Sequence, residues 1–198
     1  METISVKINA AAFGKRFQKT LDLPIFKEKA RELMETRFDK ARARLMTQFN
    51  SHKVTKEISE GPRAENSSGL LGGYGNLFSF IGFYNEDDPI ENLRDYLEYN
   101  TSIRQTVRRG DNWYFRVNCP SKSEIEKVTP MPWEKGNSWI DGIENGISNL
   151  SYYLYTHWEK GRSQEGLQLK HEFHAGAVFD TTPYMSKMLE DFREKFNK

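Results

Sequence analysis

The residue types able to do chemistry are few and poorly spaced for it. His171-Glu172-Phe173-His174 sets two imidazoles three positions apart, whereas paired metal ligands on one helical face need i, i+4 spacing. On a strand the two rings point to opposite faces. The single Cys119 is followed by Pro120, with no neighbouring histidine to activate it as a thiolate. Asp87 and Asp88 stand together without a further ligand cluster around them. No G-x-S-x-G elbow, dinucleotide fingerprint or convincingly spaced carboxylate pair occurs. The sequence therefore names no catalytic, cofactor-binding or metal-binding residue, and it reads as a protein that is not an enzyme.

The glycine-rich stretch LLGGYGNLFSFIGFYNEDDPI, residues 70–90, is the strongest local signal. A P-loop requires Lys-Ser/Thr after the glycines and a helix whose N-terminus faces the anion. No basic residue lies between Arg63 and Arg94, so a phosphate cradle is excluded. Leu77 to Phe83 carries apolar side chains at both parities, which predicts a strand covered on both faces or used at a subunit contact. The glycines then shape the turn into it. The longest apolar run, Leu77–Tyr84, is far shorter than the ~20 residues of a helical membrane span, so no membrane partner is expected. Asp88, Pro89 and Glu91 form an N-cap, a first-turn proline and a capping-box partner, opening a helix through Ile90, Leu93 and Leu97.

The elements around that stretch predict an α+β fold. Ile4, Val6 and Ile8 alternate with polar residues as an opening strand. Phe26, Ala30, Leu33, Phe38, Ala41, Leu45 and Phe49 recur at helical spacing and predict one long helix over about 25–50. Residues 51–76 lack periodicity and predict a long loop or arm. SIRQTVRR and NWYFRVN flank Gly110-Asp111 as a hairpin, which makes Arg109-Gly110-Asp111 a turn rather than an adhesion motif. The proline-containing stretch after Cys119 predicts an irregular edge segment. A glycine-containing helix from Trp139 to Leu154 implies that another backbone packs against Gly142 and Gly146. Strands follow near 167–173 and 175–179. A Thr182 cap and Pro183 then open a last helix through Met185, Met188, Leu189, Phe192 and Phe196. The sum is a single domain over 1–198, with a mainly antiparallel sheet, a long N-terminal helix and further helices packed on it, and an extended arm.

Composition narrows the function class. Aromatics are 13% of the chain against a mean hydropathy of −0.76, a combination suited to a modest core plus aromatic contact surfaces. The net charge of +1 argues against a dedicated nucleic-acid binder. Yet residues 1–50 hold eleven Lys/Arg and six Asp/Glu, so that third could lie near phosphate without reading sequence. The start METISVKINA lacks a basic segment followed by an apolar one, and no secretory signal is read.

Several phrases together carry a family likeness. They are HKVTKEI at 52–58, GGYGNLFSFIGF at 72–83, SWIDGIENGI at 138–147, Gly161-Arg162-Ser163, and Pro183-Tyr184-Met185 before the last helix. In these the chain resembles small structural proteins of tailed-bacteriophage virions, of the neck or tail-completion (minor tail) type, with the strongest likeness to versions in T-even-like marine myoviruses. The resemblance spans most of residues 50–198. It implies a homo-oligomeric, hexameric ring at the head–tail junction, joining the connector to the tail, without a cofactor. It also implies a virion location after assembly in the host cytoplasm, with phage connector and tail proteins as partners. A tail terminator capping the tail tube is the alternative. On this likeness the inter-subunit contact is expected at Lys53, Val54, Thr55, Leu77, Phe78, Phe80, Ile81 and Phe83. Arg31, Arg42 and Arg44 are the candidates to face a DNA channel.

Overall fold

The computed structural model describes residues 2–9, 24–71, 75–109, 112–133, 135–146 and 181–196. In chain order the elements are β1 (Glu2–Asn9), α1 (Pro24–Ser51), α2 (Lys53–Ser59), a 3-10 turn (Gly61–Arg63), α3 (Leu77–Ile81), α4 (Pro89–Asn100), β2 (Ser102–Arg109), β3 (Asn112–Cys119), α5 (Lys122–Val128), α6 (Trp139–Asn145) and α7 (Met185–Glu194). The chain is α+β. Its described strands form one small antiparallel sheet in the order β1-β3-β2. The hairpin pairs Arg109 with Asn112, and a register shift falls between Ile103 and Gln105. The contacts gather in two compact units, one of residues 1–47, 97–121 and 188–198, the other of 48–96 and 122–187.

The first unit contains the sheet and the body of α1. Trp113, Phe115, Val117 and Cys119 are buried at alternate positions of β3, with Tyr114 half-buried and Arg116 exposed between them. This period-two pattern gives way at Asn118, which is buried too. On α1 the buried stripe is Met34, Phe38, Ala41 and Leu45. Phe38 meets Phe192 of α7 edge-on, with ring centroids 6.3 Å apart. Arg193 donates to the Pro120 carbonyl at 3.2 Å, and Arg37 donates to the Lys195 carbonyl. One expected member of the stripe is displaced: Leu33 is 63% exposed.

The second unit overturns several expectations. Residues 51–76 are not an unstructured arm, since α2 and the 3-10 turn lie inside them. Glu57 of α2 is fully buried and its carboxylate accepts from the Ser68 amide at 2.7 Å and the Leu77 amide at 2.8 Å. Asn76 donates to the carbonyls of Pro62 (2.8 Å) and Ala64 (3.1 Å), and its Oδ1 accepts from the Ser79 amide at 2.9 Å. These two side chains replace the missing periodicity as the cause of order. The predicted strand over 77–83 is a one-turn helix, capped by Asn76 and ended by Gly82 at φ 89°; the left-handed conformation is one that glycine adopts without a Cβ clash. The segment after Cys119 is helical over Lys122–Val128, while the stretch with Pro130 and Pro132 is irregular as expected, with one isolated bridge from Pro130 to Ser138.

The acidic turn behaves as expected in its cap. Asp88 Oδ1 accepts from the Glu91 amide at 3.0 Å, and Ile90, Leu93 and Leu97 are buried. Glu91 pairs with Arg94 instead of returning to the cap. The last helix buries Met185, Met188, Leu189, Phe192 and Phe196 as predicted. Its N-terminal amides, however, are held by Glu144, whose Oε1 accepts from Tyr184 (3.1 Å) and Ser186 (2.7 Å), not by a Thr182 cap. Gly146 sits at φ 101° with open space around it, so it terminates α6 and does not receive a packed backbone. The expected continuation of that helix beyond 146, the two strands near 167–179 and the His171/His174 pair lie outside the described residues.

Candidate subunit-contact surface

Six of the eight contact candidates are interior residues of the chain itself. Val54, Thr55, Leu77, Phe78, Ile81 and Phe83 are all buried, while Lys53 is exposed and Phe80 half-buried. Phe83 packs edge-on against Trp139 at 6.0 Å and tilts against Phe78 at 5.3 Å. Thr55 Oγ1 and the Tyr184 hydroxyl lie 2.6 Å apart. A covered side chain cannot meet a neighbour in this fold, so the contact assignment to these six is corrected. An aromatic run apolar at both parities is what a fully buried turn of helix also presents, and burial inside one chain satisfies it.

The cationic candidates are partly engaged. Arg31 pairs with Glu35 at 2.7 Å, one helical turn on. Arg42 donates to the Glu98 carbonyl at 3.0 Å. Arg44 is exposed.

Two polar clusters were missed by sequence reading. In the first, His52 closes the junction between α1 and α2: its Nδ1 accepts from the Val54 amide at 3.3 Å, and its ring lies 4.8 Å from that of Tyr184. Burial holds the His52 imidazole below its ordinary pKa, because a charged ring is poorly solvated there. Burial likewise pushes the Tyr184 phenol well up. In the second, the Lys122 ammonium is 3.1 Å from Asp141 and 3.5 Å from both Glu126 and Glu144. Burial alone would raise the Asp141 carboxyl, but Lys122 and the Asn145 amide outweigh it and hold it low. A cleft of about 420 Å³ opens beside this cluster, lined by Ser123, Glu126, Lys127, Asn137 and Asp141 among others. Among the described residues no group of three or more His, Cys, Asp and Glu is placed to hold a metal ion. No described helix is long and apolar enough to cross a membrane.

The outward faces of two helices are the feature most suited to a partner. At 3.6 residues per turn, Ile25, Lys29, Leu33, Thr36 and Lys40 fall within about 80° of one another. They lie roughly 150° from the centre of the buried stripe Met34-Phe38-Ala41-Leu45-Phe49. Ile25 is 60% exposed and Leu33 63% exposed, and the Lys29–Glu32 ion pair of 2.5 Å sits between them. On α4, the exposed Tyr99 (83%) and the exposed Asp95 and Glu98 lie away from the buried Ile90, Leu93 and Leu97. In the sequence these faces show only as Ile25 and Tyr99 lying off the predicted stripes, since Leu33 counts there as a core position. No protein-family model, curated protein or solved structure matches the chain.

Proposed function

We propose that this chain is a non-enzymatic structural subunit of a tailed-bacteriophage virion, a ring-forming neck protein that joins the connector to the tail at the head–tail junction. The observation that carries the assembly role is the apolar pair Ile25 and Leu33 on the face of α1 opposite its core stripe. Single exposed apolar residues need no explanation. A pair on one outward stripe of a 28-residue helix offers a surface for another subunit. The place in the particle rests on the resemblance of the phrases at 52–58, 72–83 and 138–147 to phage neck and tail-completion proteins. The excess of cations in the first fifty residues suits a position beside genomic DNA, where the attraction is to phosphate and independent of sequence.

Imaging of intact phage particles, with a tag on the chain as a marker, tests the reading. The expected result is a ring of tagged subunits between connector and tail. A signal at the upper end of the tail tube would transfer the chain to the tail-terminator role. Particles that lack the chain altogether would refute a virion function.

A further inference from the structure

We infer that the outer face of α1 in one copy of this chain docks on the outer face of α4 in a second copy. The inference deepens the ring reading and depends on it only for closure, since the contact itself is a property of the isolated chain. Charge supports this pairing. Helix α1 carries seven Lys/Arg and four Asp/Glu, whereas α4 carries Glu91, Asp95 and Glu98 against Arg94 alone. Asp88 adds a further carboxylate at the α4 cap. Each helix spends its apolar stripe on its own core and shows large apolar surface on the other side: Ile25 and Leu33 on α1, Tyr99 on α4. Lys29, ion-paired with Glu32, lies within the first patch and the exposed Lys40 beyond it, while the exposed Asp95 and Glu98 flank the second. A basic-apolar face thus has an acidic-aromatic counterpart on the same molecule. Tyr and charge complementarity are what interfaces use to combine burial with register. Because the two patches differ, the contact is head-to-tail, the kind that closes a ring or continues as a filament.

The competing arrangement, α1 packed on α1 across a two-fold axis, sets Lys29 near its own copy. It would leave Tyr99 and the acidic face of α4 without a role.

The test uses the purified full-length chain and sedimentation over a range of concentrations. Two double variants are made, Lys29→Glu with Lys40→Glu, and Asp95→Lys with Glu98→Lys, each checked for unaltered helicity. The Lys29–Glu32 pair lost in the first is an exposed i, i+3 pair of small worth to the fold. The unmodified chain is expected to sediment as an oligomer and each double variant as a monomer. A one-to-one mixture of the two double variants should reassemble, since every contact in it again joins opposite charges. Leu33→Asp should give a monomer whose intact α4 face still pairs with the α1 face of the Asp95→Lys/Glu98→Lys variant, so that this mixture stops at a one-to-one dimer. A monomeric unmodified chain, unaffected variants, a defect confined to the α1 variant, or a mixture that stays monomeric would each overturn the contact. A chain that assembles this way in solution yet is absent from particles would refute the neck reading while leaving the contact intact.

Discussion

The fold of residues 57–77 hangs on one carboxylate, and its removal has a calculable effect. Glu57 is fully buried, with its two oxygens taken by the amides of Ser68 at 2.7 Å and Leu77 at 2.8 Å. Glu57→Ala leaves both donors without an acceptor. At about 1–3 kcal/mol for each stranded buried donor, the loss is about 2–6 kcal/mol. Glu57→Gln keeps the shape and one acceptor but turns an N–H group towards the other amide. That strands a single donor, for about 1–3 kcal/mol. Relief from burying a charge offsets part of this, so the glutamine value is an upper bound. The expected order of stability is unmodified, then Gln, then Ala. Urea unfolding reports the midpoints, and limited proteolysis of the 60–76 segment reports local opening. Cleavage should rise in both variants, because the carboxylate ties the middle of that segment, at Ser68, and the residue that follows it, Leu77, to α2. A Gln variant whose midpoint and cleavage pattern match the unmodified chain would refute the reasoning. The same bonds bear on deletion of Ser59–Gly69: it removes the Ser68 amide and the Pro62 and Ala64 carbonyls that hold Asn76, so the α2–α3 region should unfold with it.

Gly146→Ala should destabilise by about 1–3 kcal/mol, since φ 101° with ψ 146° is a conformation side chains resist; a melting temperature equal to or above that of the parent would contradict this. Stability should fall as pH drops below the ordinary histidine pKa of about 6.5. His52 is held neutral by burial, so the unfolded chain binds the proton more readily and the stabilisation present at higher pH is lost on acidification. His52→Gln should flatten that part of the pH profile followed by thermal unfolding. Met34→Ala should cost about 2–5 kcal/mol as a core truncation, whereas Leu33→Ala should stay within about 0.5 kcal/mol in the monomer; equal losses in urea unfolding would place both side chains in the core.

How much of this was legible in the sequence depended on how far each element explains itself. The hairpin, the Asp88 cap and the apolar stripes of α4 and α7 read correctly because pattern and local chemistry agree over a whole element. Helices α2, α3 and α5 have seven, five and seven residues, too few turns for a periodic signal. Their order comes from partners distant in sequence, such as Glu57 reaching Leu77. For α3 a signal was available: Asn76 and Gly82 bracket the run as start and stop residues. The aromatic content outweighed it, although strand preference is largely a matter of surroundings. At α7 the local cap was read and the distant one, Glu144, was not. Nothing in the sequence marks which of several carboxylates will find a helix end forty residues away.

The displacement of Leu33 follows from the helix itself. Counted at 3.6 residues per turn, Phe26, Ala30 and Leu33 centre roughly 90° away from the line of Met34, Phe38, Ala41, Leu45 and Phe49. One straight helix cannot press both sets against the same surface. The second set is longer and meets α7 through Phe38 and Phe192, so it fixes the rotation of the whole element. Met34 turns in, and Leu33, its neighbour, must turn out. The first turns of α1 therefore hold apolar groups that the helix's own core stripe cannot absorb by any rotation without exposing Phe38 and Leu45. Ile25 and Leu33 are thus left at 60% and 63% exposure, the surface that the proposed contact with α4 of a second copy would cover.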